Sequence, residues 1–228
     1  MNIKPIHSIS KIILTAICCC ILYNHAAAQA LPFYNEIETF KKLDSTHFPP
    51  KHAILFVGSS SFTKWTDVQD YFPGYPIINR GFGGSSLPDV IRYANDIIIP
   101  YQPKQIVIYC GENDLAGGDT TVNGKLVFER FKQLFILIRK QLPKVPVAYV
   151  SMKPSPSREK LWPKMIAGNS LIKKFLGKQN RTVFIDVYHK MFNKDGTIMK
   201  EIFIEDNLHM NAKGYAIWQK IIAPYLLK

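Results

Sequence analysis

Five short apolar runs, separated by longer amphipathic segments, constrain the fold of this chain more than any other feature. They span residues 53–57, 76–79, 105–110, 145–151 and 182–187 and are rich in valine and isoleucine. None presents an alternating polar face, which is the pattern of strands covered on both sides. Helical spacing governs the segments between them. Phe33, Ile37, Phe40 and Leu43 recur on one face before the first run, and residues 87–99 carry Pro88 in a first-turn position. The longest helix is expected over residues 122–142, with Val127, Phe131, Leu134, Phe135 and Ile138 on its apolar stripe. Residues 159–176 and 212–226 complete the set. This alternation predicts a doubly wound parallel α/β sheet with helices on both faces. A chain of 228 residues, 47% hydrophobic, supplies one core of that kind, and no repeat or linker divides it.

The first thirty residues do not belong to that core. Lys4 and Lys11 make a positive start, residues 12–23 an apolar run, and Ala26-Ala27-Ala28-Gln29-Ala30 a small-residue cleavage zone. The pattern is that of a secretory signal peptide over residues 1–30, with cleavage after Ala28 or Ala30, leaving a domain over 31–228. Its apolar run is short for a membrane span. Cys18, Cys19 and Cys20 raise a lipid anchor, but no Gly, Ala or Ser immediately precedes any of them. The expected location is the periplasm or the medium.

Removal of the leader leaves Cys110 as the only cysteine, so no intramolecular disulfide is expected, and Cys110 at a strand end reads as a small buried hydrophobe. The histidines are scattered, which gives no metal site and no cofactor. The formal charge falls from +12 to +10 with the two leader lysines. Its basic residues are dispersed, as in Lys173-Lys174 and Arg139-Lys140, and no nucleic-acid motif accompanies them. A solvated surface is the expected result.

The chemistry-bearing residues fall on one edge of the expected sheet. Ligands of open parallel sheets bind beyond the carboxyl ends of the strands. Ser60 follows the first run, Gly84 the second and Asn113 the third, with Asp206 and His209 beyond the fifth. A serine hydroxyl becomes a nucleophile when an imidazole takes its proton and a carboxylate orients that imidazole. The Asp206-Asn207-Leu208-His209 spacing places both partners on one turn. Ser59, Ser60 and Ser61 are consecutive, and only one of them is expected to face the cleft. Serines also cap helices; the downstream Asp-x-x-His decides for Ser60 as nucleophile, near a helix start whose dipole would favour an anion. Asp114 reads as the maker of a structural hydrogen bond, Asn207 as turn chemistry, and Arg80 as half of a structural salt bridge. Gly81-Phe82-Gly83-Gly84 does not continue into a dinucleotide loop, because Ser86 stands at the third glycine position. Arg158, which ends the proline-rich residues 153–158, and Trp162 are candidates for lining the acyl or alcohol pocket, but neither is taken as a site residue.

On these residues the chain resembles the SGNH, or GDSL-type, hydrolases, whose pattern runs Gly-Asp-Ser early, Gly and Asn in the middle, Asp-x-x-His late. The resemblance extends from Gly58 to His209. It implies a flavodoxin-like three-layer α/β/α sandwich on a five-stranded parallel sheet. It also implies an esterase with Ser60 as nucleophile, His209 as base and Asp206 as orienting acid, and with oxyanion donors in the Ser60 and Gly84 amides and the Asn113 side chain. Ser59 departs from the pattern, standing where the family has aspartate, at a position that flanks the nucleophile. Small acyl esters on glycans are the favoured substrates, ahead of lysophospholipid-type acyl esters, because no apolar lid segment is evident. A non-catalytic glycan-binding module is the competing reading; it would lack a member of the triad.

Overall fold

The computed structural model describes residues 31–228, so the leader expected over 1–30 lies outside the described residues. Five strands, β1 (Ile54–Gly58), β2 (Ile77–Gly81), β3 (Gln105–Tyr109), β4 (Val147–Val150) and β5 (Thr182–Ile185), make one all-parallel sheet. Its order is β2-β1-β3-β4-β5, the flavodoxin-like arrangement, which reverses winding direction between β1 and β3. The expected burial on both faces holds for β1, β3 and β4. It fails for β2 and β5, which are only partly buried. Both stand at sheet edges, where a strand has one neighbour and one open flank.

Successive residues of the central strands face opposite layers. Ile54, Phe56, Val107, Tyr109, Ala148 and Val150 pack with Phe62, Trp65, Trp218 and Ile222 into one core. Tyr149 points the other way and meets Phe131 edge to face, with ring centroids 4.8 Å apart. The main helices are α1 (Tyr34–Thr46), α2 (Ser60–Thr63), α3 (Leu87–Arg92), α4 (Glu112–Ala116), α5 (Gly124–Gln141), α6 (Trp162–Leu176) and α7 (Ala212–Ile222). The chain from Asn35 onward is one compact unit.

Local chemistry sets the helix bounds. Asn123 caps α5 by accepting from the Lys125 and Leu126 amides, and Val127, Phe131, Leu134, Phe135 and Ile138 are buried along its inner face. Each of those side chains contributes about 1.5–3 kcal/mol of burial, so Phe131→Ala would cost about 3–5 kcal/mol. Basic pairs end both long helices, Arg139-Lys140 on α5 and Lys173-Lys174 on α6, as complements to the carbonyl ends. The helix expected over 87–99 is broken into α3, a four-residue α-helix at Ala94–Ile97 and a 3-10 turn at Ile99–Tyr101. Pro100 and the β-branched residues before it disfavour a continuous helix there. Residues 159–161 belong to a 3-10 turn, and α6 starts only at Trp162, with Pro163 in its first turn. Pro224 likewise ends α7 and leaves a 3-10 turn over Ala223–Tyr225.

Candidate active site

The turn that carries Ser60 is built by the way β1 ends. Gly58 has φ +142°, and a Cβ there would lie 1.9 Å from the Tyr109 carbonyl oxygen of β3. Glycine alone permits this close approach. The Ser59 amide then donates to that same carbonyl at 3.0 Å, and the Ser59 carbonyl accepts from Phe62 to start α2. Ser59 and Ser61 are buried, whereas Ser60 is only partly so. One serine of three therefore opens to the cleft, as the alternation argument expects. The helix that follows has four residues, so the expected dipole contribution reduces to the Ser60 amide itself. Asn79 of β2 braces the turn by donating to the Phe62 carbonyl at 2.7 Å.

Asp206 and His209 sit in a tight loop closed by a Phe203–Met210 bridge and an Ile204 amide to His209 carbonyl bond of 2.9 Å. Asn207 turns the loop with φ +54°, a conformation asparagine tolerates. Asp206 Oδ1 accepts the Leu208 and His209 amides at 2.9 and 2.8 Å. Its Oδ2 stands 2.6 Å from His209 Nδ1, and His209 Nε2 stands 2.9 Å from Ser60 Oγ. Partial burial pushes the Asp206 carboxyl up, but the imidazole and the two amides outweigh it and hold the group at about 2. It is therefore charged throughout the neutral range, as a partner that orients an imidazole must be.

Further hydrogen bonds brace these loops. The Tyr215 hydroxyl of α7 donates to the Ser61 carbonyl at 2.9 Å, tying the helix after His209 to the Ser59–Ser61 turn. Ser157 donates to the Asn207 carbonyl through both its amide and its hydroxyl, at 3.1 and 3.0 Å.

The expected oxyanion donors lie on neighbouring loops. Gly84 is exposed with φ +75°, and nothing lies within 4 Å of the place where its Cβ would be. Among the described residues, no acceptor is bonded to the Ser60 or Gly84 amide, while the adjacent Gly83 amide is taken by Glu36 at 3.1 Å. Asn113 Nδ2 donates one hydrogen to the Ser85 carbonyl at 3.0 Å. Ser85 in turn donates from its hydroxyl to the Gly58 carbonyl at 3.1 Å. Ser85 thus links the Gly84 loop, Asn113 and the end of β1, a role the sequence did not signal.

A family model for GDSL-like lipases and acylhydrolases matches residues 53–217. The chain belongs to this family. It is accordingly a carboxylic ester hydrolase, and the binding-module reading falls away. No curated protein matched it in a sequence search. The fold is shared with a GDSL-like lipase from Bacteroides thetaiotaomicron, at 20% identity and TM-score 0.70, covering 83% of this chain and 96% of that one. A variant of an acetyl-xylooligosaccharide esterase from Geobacillus Stearmophilus matches at 14% identity and TM-score 0.61, covering 76% and 93%.

Other residues weighed in the sequence have structural partners. Asp114 accepts from the Leu87 amide and Arg130, each at 2.9 Å, and so joins α3 to α5; burial pushes its carboxyl up, and these two donors pull it back only in part. Arg80 pairs with Asp44 at 2.5 Å and lies over the Phe40 and Tyr101 rings. Trp162 donates to the Ser155 carbonyl at 3.1 Å and packs on Phe192. Burial pushes the Cys110 thiol well up, which keeps it protonated and inert. Arg158 differs from its expectation: it donates to Asn113 Oδ1 at 2.7 Å and borders a groove of about 490 Å³. Asp206, Leu208, Ser157, Leu161 and Lys164 also line that groove.

Proposed function

We propose that this family member is an exported serine esterase for small acyl groups carried on glycans. Ser60 Oγ attacks the acyl carbon while His209 Nε2 takes its proton, and His209 returns the proton to the leaving alcohol. Water, activated by the same imidazole, then releases the acid from Ser60. The Ser60 and Gly84 amides with the Asn113 side chain hold the oxyanion that forms at each stage. The observation that carries this reading is the unbroken chain from Asp206 to His209 to Ser60, with steps of 2.6 and 2.9 Å.

Substrate preference rests on the surroundings. Among the described residues, large exposed apolar side chains are spread over separate elements, such as Leu43 on α1, Ile136 on α5 and Ile166 on α6, with no lid segment gathering them. The groove beside Asp206 mixes Ser157, Arg158 and Lys164 with leucines, which suits a hydroxyl-rich alcohol better than an acyl chain. One protein of the same fold acts on acetyl-xylooligosaccharides. p-Nitrophenyl acetate should be turned over faster than the octanoate, and acetylated xylan faster than lysophosphatidylcholine; the reverse order would overturn the substrate assignment. Export follows from the leader sequence. Among the described residues, no helix is long and apolar enough to cross a membrane. Cell fractionation with N-terminal sequencing should find a chain beginning after Ala28 or Ala30 outside the cytoplasm.

Asp206→Asn should lower kcat about 10⁴-fold, because an amide leaves the imidazole in the wrong tautomer for its task. The pH profile gives a second check. Asp206 stays charged down to about pH 2, so the acid limb of kcat/KM should follow a single protonation, that of His209. A rate flat through the imidazole titration would contradict its role as base.

A further inference from the structure

Behind Asn113 lies a buried charge cluster for which the proposed chemistry has no use. Glu112 is 3% exposed and Lys153 1%. The Glu112 carboxylate accepts the Lys153 ammonium, the Lys153 backbone amide and Arg158 Nη1, each at 3.1 Å, and the Tyr109 hydroxyl also donates to it. Burial pushes the Lys153 ammonium towards its neutral form, and Glu112 opposes that shift. An ion pair this deep is expensive to desolvate, and apolar side chains of similar volume would be as stable or more so. Two cations share one carboxylate, so with both charged the cluster keeps one surplus positive charge. That charge is delivered by Arg158, whose other nitrogen, Nη2, reaches Asn113 Oδ1 at 2.7 Å. Only a guanidinium can reach both acceptors at once in this way; an ammonium is a point donor.

We propose that Arg158 is a positioning residue for ester hydrolysis. Held by the Glu112–Lys153 pair, it fixes the Asn113 amide with its oxygen facing the guanidinium and its second Nδ2 hydrogen left for the oxyanion. The guanidinium also draws electron density through the amide, which makes that hydrogen a stronger donor. This rests on the reading of Asn113 as an oxyanion donor. Its test is a mutant cycle in p-nitrophenyl acetate hydrolysis, comparing wild type, R158M, N113A and the double variant, with R158K and S60A alongside. R158M and R158K should each lower kcat about 10- to 100-fold, less than complete loss of the donor, with KM changed by no more than about threefold. In the N113A background the Arg158 change should cost less than about twofold more, because the residue it acts through is gone. Multiplying losses in the double variant, or an unchanged kcat in either single variant, would overturn the proposal. R158K keeps the charge beside Glu112 and answers the question even if R158M does not fold. S60A as active as wild type would instead overturn the site reading, and this inference with it.

Discussion

Ser60→Ala is expected to reduce ester hydrolysis at least about 10⁴-fold while leaving the fold intact. In the proposed relay the Ser60 hydroxyl is the one that meets His209 Nε2, at 2.9 Å among the described residues. The neighbouring Ser59 and Ser61 are buried, and the Ser61 carbonyl is held by Tyr215. Neither can swing in as a substitute. Because Ser60 is only partly buried and its hydroxyl meets the imidazole of His209, the substitution should move stability by less than about 0.5 kcal/mol, which is under about 2 °C in Tm for a domain of this size. Steady-state rates with p-nitrophenyl acetate and a thermal melt separate the two outcomes. Residual activity near wild type would mean that another group attacks the ester.

Gly58→Ala should have the largest effect on folding. The added methyl would sit 1.9 Å from the Tyr109 carbonyl oxygen, a backbone atom of the central strand β3. It cannot move aside without opening the β1–β3 register, which pairs Gly58 with Tyr109 itself. The backbone angle of φ +142° adds strain for any L side chain. Together these should cost more than about 4 kcal/mol, a large share of the 5–15 kcal/mol that holds a typical domain. Gly84→Ala is the contrast: its φ is +75° but nothing lies within 4 Å of the new methyl, so about 1–2 kcal/mol of left-handed strain is all it should lose. Denaturant melts of the two variants test the difference. Similar midpoints would show that the β1–β3 approach is looser than its geometry indicates.

The parts of the molecule legible in the sequence are those specified locally. A strand covered on both faces must be an uninterrupted apolar run, and β1, β3 and β4 read plainly as such. Asp206 and His209 share one turn, so their spacing alone brought them together. Edge exposure was not legible, because whether β2 or β5 has a neighbour depends on strand order rather than on its own residues. The break in the helix over 87–99 was marked by Pro100, and the periodicity of the apolar residues masked it. The Arg158–Asn113 contact joins residues 45 positions apart, and Lys153 meets Glu112 across 41. Such contacts arise only where two strand-end loops converge, and no spacing rule reports them. Nothing in the sequence of the proline-rich residues 153–158 marks Lys153 as buried.

Labelling with a fluorophosphonate tests the central claim most directly. Attack by an activated serine forms an oxygen–phosphorus bond, expels fluoride and leaves the proton on the imidazole, so the adduct records which hydroxyl His209 activates. Peptide mass spectrometry should find a single adduct on Ser60 in the wild-type protein and a strongly slowed one in His209→Gln. Full esterase activity with no adduct, or an adduct on any other side chain at the wild-type rate, would contradict the relay from Asp206 through His209 to Ser60.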